Sequence, residues 1–252
     1  GEDAIDEQRM ALMLRNLDAT VQRTINTAQS GTITDEQVFD ALRLEIARII
    51  TLGISGFDSP VAFHSLPEAT ASLQSIQDVL EIYLQPAHTD NLRVIAALTK
   101  GAQAFLAYNT PFEQFDRLTF ITRFANPLAR ELHNARTTLG IAVPDVSRPF
   151  RTTAITLFDS AAFDPAFYAP GYTKAVNEET IQLGKLLFFD PVLSGNNRRA
   201  CASCHQPEKA FTDGNTRSVA FDFNGKVERN APTLLNAALQ SGQFHDLRTT
   251  FL

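Results

Sequence analysis

Cys201-Ala202-Ser203-Cys204-His205 is the stretch on which the reading of this chain turns. It has the form C-x-x-C-H, and its cysteines are the two that the chain contains. Two thiols on one turn lie close enough to add to the two vinyl groups of a single porphyrin. The residue that follows then projects its imidazole at the iron, as the proximal axial ligand. Three other readings compete. A dithiol redox pair wants a thioredoxin-like βαβ setting, which the flanking sequence does not offer. A zinc site needs a fourth ligand; His245 or Asp213 could be proposed, yet a tetrahedral site of two Cys and two His usually has paired spacing on both sides. Coincidence is the third. A disulfide scaffold is excluded by the cysteine count.

The surroundings favour a covalently held haem c. Residues 145–173 show little helical periodicity and carry the breakers Pro149, Pro165, Pro170 and Gly171. Residues 146–176 read as a linker segment, ordered by packing of Phe158, Phe163, Phe167 and Tyr168. Asn177-Glu178-Glu179-Thr180 then starts a short helix through Gly184, Leu187 and Phe188, which Asp190-Pro191 stops. Loops follow at Ser194-Gly195-Asn196-Asn197, Asp213-Gly214-Asn215 and Asn224-Gly225. One more helix is expected to start near Thr233 and end before Gly242. Residues 177–252 have too few helices for an ordinary core. A tethered porphyrin would be the large apolar body that such a segment packs around.

Outward from there, residues 1–145 read as helix after helix. The first is expected over residues 6–27. Thr34-Asp35-Glu36-Gln37 is a capping box, followed by Val38, Leu42, Ile46 and Ile49 at helical spacing. Ser65-Leu66-Pro67-Glu68 reads as a second box, ahead of Ala69, Leu73, Ile76, Leu80 and Leu84. Thr89 and Asp90 start a helix running to about Tyr108. Thr110-Pro111-Phe112-Glu113 reads as a third box, with proline at the first helical position. Asn126-Pro127 is expected to kink or split that last helix. The fold class is therefore mainly α: an N-terminal helical bundle followed by a loop-rich cytochrome c-like haem domain.

The length of 252 residues suits two domains at roughly 100–200 residues each. With 44% hydrophobic and 20% charged residues, a folded, soluble protein is the expectation. A net charge of −6 and the lack of a broad basic stripe argue against nucleic-acid binding. No apolar run approaches the ~18–20 residues of a membrane span. No signal peptide is visible; Gly1-Glu2-Asp3 reads as a mature or trimmed start, which says nothing against export.

Other candidate residues weigh less. His64, His88 and His133 read as surface or satisfied polar groups. His245, nearer the haem segment, is a candidate distal ligand. Arg198, Arg199, Arg217, Arg229 and Arg248 gather in the C-terminal part. They are solvated charges or partners of haem propionates, whose geometry suits arginine, and Arg229 is the favoured one. The 19 Phe residues, with no Trp beside them, look like core packing.

A family resemblance rests on four motifs in order: Leu183-Gly184-Lys185-Leu186-Leu187-Phe188-Phe189-Asp190-Pro191, the Cys201–His205 pentad, Ala210-Phe211-Thr212-Asp213-Gly214, and Arg229-Asn230-Ala231-Pro232-Thr233-Leu234-Leu235-Asn236. Over residues 177–252 the chain resembles the N-terminal haem half of bacterial dihaem cytochrome c peroxidases. Their wider family includes an enzyme that oxidises a protein-bound tryptophan. The resemblance implies a periplasmic enzyme that reduces hydrogen peroxide with electrons from a small cytochrome or cupredoxin. Cys201 and Cys204 would be the thioether sites, His205 the proximal iron ligand and Asn230 a calcium ligand.

Departures from the family pattern carry expectations too. A second C-x-x-C-H is absent, and the family's distal acid would lie beyond Leu252, so the chain is expected to be a fragment, inactive by itself. Thr216 to Glu228 holds no distal His. His245 stands where the family has a Trp, which puts electron transfer through that side chain in doubt. Three rival readings remain open: an electron-transfer cytochrome module, oxidation of a protein side chain, and a haem-free structural or interaction domain. The bundle's faces are free to dock a partner, form a homodimer or shield the haem edge.

Overall fold

The computed structural model describes residues 7–84, 89–108, 111–171, 176–244 and 246–250. The fold is mainly α. Among the described residues there is no strand, only isolated antiparallel bridges such as Phe150 with Phe163 and Gln206 with Thr212. The chain divides into two compact units. One comprises Gly1–Asp145 with Ile155–Asp159, the other Val146–Ala154 with Ser160–Leu252.

In the first unit, α1 (Glu7–Ser30) leaves Met10, Met13, Leu17 and Val21 exposed. The Thr34 capping box forms as expected: its hydroxyl accepts from the Gln37 N–H and the Gln37 side chain accepts from the Thr34 N–H. It opens α2 (Asp35–Arg48), which continues into a π-helical turn, Ile49–Gly53. α3 (Ser65–Tyr83) packs on α4 (Thr89–Ala107), and α4 on α6 (Asn126–Thr138). Their apolar positions recur every three or four residues and meet in one core: Phe39, Leu42 and Ile46; Leu73, Ile76 and Leu80; Ile95 and Ala102; Leu128, Leu132 and Ala135. Gly101 sits mid-helix in α4 because a Cβ there would come within 2.8 Å of the Phe124 ring. Leu80 is fully buried. Leu80→Ala is expected to cost about 2–5 kcal/mol by emptying that space. The loss is read as a lower midpoint of urea unfolding followed by helical circular dichroism; a loss below about 1 kcal/mol would contradict this account of the core.

Three expected helix signals resolve differently. Ser65 is not an N-cap: its hydroxyl donates to Asp58 Oδ1 at 3.0 Å instead, while Arg48 holds the other Asp58 oxygen. A partner from the preceding loop thus outcompetes the local box. Pro111 opens only a single 3₁₀ turn, Phe112–Gln114, and Thr110 lies outside the described residues. The helix starts at α5 (Arg117–Phe120), capped by the Asp116 carboxylate on the Thr119 N–H at 3.0 Å. Arg117 closes the interruption by donating to the carbonyls of Ile54, Phe115 and Phe112. Asn126-Pro127 does not split the helix. A π-helical turn, Ile121–Ala125, joins α5 to α6; there Asn126 N–H bonds to Ile121 O just before the proline removes a donor.

In the second unit, Phe150 and Phe163 pair their rings at 5.6 Å and Phe167 and Tyr168 at 4.8 Å, while Phe158, which falls in the first unit, is exposed. Asn177 and Thr180 form a reciprocal cap on α7 (Glu178–Phe189), as expected. The helix expected after Thr233 does not form. Asn236 adopts a left-handed conformation, φ 59°, which breaks helical propagation and leaves a single 3₁₀ turn, Ala237–Leu239. Among the described residues of this unit, the buried apolar side chains are Phe150 and four alanines, Ala154, Ala162, Ala231 and Ala237. α7 buries no side chain, and Leu186, Leu193 and Phe221 are each at least 70% exposed. Apolar surface is plentiful here and apolar core is nearly absent.

Candidate haem site

α7 delivers the chain to a short 3₁₀ turn, Pro191–Leu193, whose start is capped by Asp190 on the Val192 N–H. The Ser194 hydroxyl then accepts from the N–H groups of Arg198 and Arg199, at 3.1 and 3.3 Å, and fixes the approach to Cys201. Cys201–Ser203 is one 3₁₀ turn, and His205 N–H donates to Cys201 O at 3.0 Å. Both sulfurs and the imidazole therefore stem from a single turn. Cys201 is exposed, Cys204 half-buried, and both are free thiols.

The imidazole is oriented by a specific partner. His205 Nδ1 lies 3.0 Å from Phe211 O. A carbonyl can only accept, so Nδ1 carries the proton and Nε2 keeps its lone pair for a metal. That is the arrangement in which a neutral histidine ligates iron. Two left-handed residues in succession, Ala210 (φ 52°) and Phe211 (φ 61°), turn that carbonyl toward His205. Neither is glycine, so each conformation costs on the order of 1–3 kcal/mol and must be imposed by its surroundings. The constraints are visible. Phe211 N–H bonds to Gln206 O and Gln206 N–H to Thr212 O. The Thr233 hydroxyl donates to Ala210 O at 2.6 Å. The Phe211 ring meets Phe188 of α7 edge-on at 5.9 Å.

These features fit a porphyrin. A free Nε2, two thiols on one turn and exposed apolar side chains around a nearly coreless unit suit a covalently held apolar disc. They suit a zinc ion poorly: no group of three or more Cys, His, Asp or Glu side chains able to hold a metal ion gathers among the described residues. Asp213, offered as a fourth zinc ligand, is buried and accepts from the Asn215 N–H at 3.0 Å. Burial opposes its charge, yet the bond from the Asn215 N–H prevails and keeps its carboxyl below the ordinary range.

Of the other candidates, Arg229 is half-exposed and paired with Asp246 at 2.8 Å; Arg248 shares the same carboxylate. Burial opposes the Asp246 charge, but the two guanidinium bonds outweigh it and lower its pKa. Asn230 is exposed. His245 and His88 lie outside the described residues. His64 is exposed, and His133 is partly buried beside Arg136, both lowering its pKa. Two participants carry no role in the sequence reading, and a third is there ranked below Arg229. The Phe211 carbonyl has no side-chain signal at all. Thr233 stands inside a quoted motif but had no role. Arg199, not Arg229, is the buried arginine of the group.

The segment thus has the C-x-x-C-H form of c-type haem attachment, with the His205 imidazole on the same turn as both thiols. Residues 178–252 match the family model described as di-haem cytochrome c peroxidase. Over 68 residues the chain is 46% identical to the cytochrome-c peroxidase IdrP2 of Denitromonas iodatirespirans, covering 27% of this chain and 18% of that protein. It is 45% identical over 60 residues to the methylamine utilization protein MauG of Methylorubrum extorquens, covering 24% and 17%. With the cytochrome c551 peroxidase of Nitrosomonas europaea the identity is 41% over 73 residues, 29% and 21% of the two chains. The chain thus spans about a fifth of the length of these relatives. No solved structure matches it significantly. No helix among the described residues is long and apolar enough to cross a membrane.

Proposed function

We propose that residues 177–252 form the haem-bearing N-terminal half of a periplasmic, dihaem-type cytochrome c peroxidase. Residues 1–145 would be a separate helical domain, and 146–176 the segment joining them. The observation that carries this reading is the single turn holding Cys201, Cys204 and His205, with His205 Nδ1 committed to Phe211 O. The matched relatives add support through their names. The reaction would be H₂O₂ + 2 e⁻ + 2 H⁺ → 2 H₂O, with the electrons drawn from a small cytochrome or cupredoxin.

Bound haem c would supply the iron at which peroxide is reduced. The chain's own part is to hold it. Cys201 and Cys204 would hold it through thioether bonds, and His205 would offer Nε2 to the iron while Phe211 O keeps the proton on Nδ1. The exposed apolar side chains of α7 and the following loops would cover the ring and exclude water. Arg229 would meet a propionate only by sharing with Asp246. Asn230 would contribute an oxygen to a calcium ion, a hard-ligand preference of that metal.

The electron-transfer rival needs a second strong axial ligand, and the chain's methionines, Met10 and Met13, both lie on α1. The reduced, haem-loaded full-length protein is therefore expected to bind carbon monoxide at this haem and to turn over peroxide with a reduced donor. A spectrum with two strong axial ligands in every redox state would overturn the peroxidase reading. Oxidation of a protein side chain without peroxide consumption by the donor would move it to the MauG-like alternative.

A further inference from the structure

Arg199 is the most unusual charge in the second unit. Its residue is 8% exposed. Nη2 donates to Ala220 O at 2.6 Å and Nη1 approaches Cys204 Sγ at 3.4 Å. The guanidinium carbon lies 4.0 Å from the centre of the Phe223 ring and 5.8 Å from that of Phe221. Nε is buried without a partner. Arg151 pairs with Asp164, and Arg229 and Arg248 with Asp246; none of these pairs reaches Arg199. A buried cation with no anion is costly, and ring faces with one carbonyl compensate it only in part. Such a charge calls for a purpose at the place it occupies.

That place is the attachment sulfur. Resting on the haem reading above, we propose that Arg199 is a positioning residue whose unpaired buried charge, held against the Cys204 sulfur, raises the reduction potential of the haem. The argument is Coulombic. Reduction removes one positive charge from the iron centre, so a fixed cation nearby disfavours the oxidised form. In a partly desolvated site an effect of about one decade is expected from a unit charge beside the attachment sulfur. Its bond to Ala220 O and its ring stacking fix the guanidinium where solvent cannot screen it. The neighbouring charges that face the site differ: Arg198 is exposed although its guanidinium also lies over Phe223, at 4.6 Å.

The test is a spectroelectrochemical titration of the haem-loaded, full-length protein, after pyridine haemochrome has verified haem on residues 201 and 204. In Arg199→Gln the ratio of ferrous to ferric haem at a fixed ambient potential is expected to fall about tenfold, a midpoint shift of about 59 mV for a one-electron couple. Arg199→Lys keeps the charge and should stay within about threefold of the parent. Lys185→Gln, which removes an exposed charge from α7, should leave the ratio within about twofold. Haem-loaded Arg199→Gln with an unchanged ratio and unchanged axial ligation would overturn the proposal, since a merely structural arginine does not move the potential. A tenfold fall in Arg199→Lys would overturn it as well, and that variant decides alone if the neutral one takes up no haem. Absence of haemochrome in the parent protein would instead fail the haem reading itself.

Discussion

Replacing both Cys201 and Cys204 by alanine is expected to abolish covalent haem. Haem in the parent protein should survive denaturation and acidified organic solvent, because it is held by carbon–sulfur bonds. In the double variant of this 252-residue chain, whose one C-x-x-C-H is then lost, all colour should pass into the solvent. The effect is expected to extend to folding. The second unit buries one phenylalanine and a few alanines as its apolar core among the described residues, and leaves the apolar face of α7 open. Hydrophobic burial yields about 25 cal/mol per Å², so a unit that gives up a large apolar disc loses much of its driving force. The variant should therefore show raised susceptibility to proteolysis within residues 177–252, while residues 35–141, which carry their own continuous core, resist. Equal protection of both regions without haem would contradict the claim that the porphyrin supplies the missing core.

The second large effect is expected at His205. Partners one shell out from a metal typically change affinity or activity by about 10–100-fold, so loss of the ligand itself should reach or exceed the top of that range. His205→Gly in the full-length protein is expected to lower peroxide turnover by at least about a hundredfold while leaving both thioethers possible. Added imidazole, small enough to enter the vacated space, should restore the ligation spectrum in part. Rescue separates a ligand role from a structural one: a histidine needed only to hold the 206–212 turn through Phe211 O would not be replaced by a freely diffusing ring. An unaltered iron spectrum in His205→Gly would remove the residue from the site.

How far these features could be read from the sequence depended on whether their cause was local. The caps at Thr34 and Asn177 are four-residue events, and both form as read. The box at Ser65 fails because its hydroxyl finds Asp58, seven positions back, which the local pattern does not weigh. The proline at 111 looked like a helix start, but Asp116 and Arg117 offer better caps a few residues on. The wide turn before Pro127 is a backbone solution that no side chain announces. In the proposed haem segment the pentad stands out because two thioether bonds and one ligand would demand that spacing. The carbonyl that orients His205 was not, since any residue type has one and only the paired left-handed conformations at 210 and 211 aim it. Among the arginines the sequence favours Arg229, and nothing in it singles out Arg199. Burial separates them: one pairs with Asp246 near solvent, the other is enclosed by Phe223 and the Cys204 sulfur.

The most direct measurement is pyridine haemochrome absorbance on the chain purified from cells that carry c-type haem maturation. The account predicts one haem per chain with the spectrum of a porphyrin whose two vinyl groups are saturated, retained after acidified solvent extraction. Colourless protein, or sulfurs found binding a different metal, would contradict it.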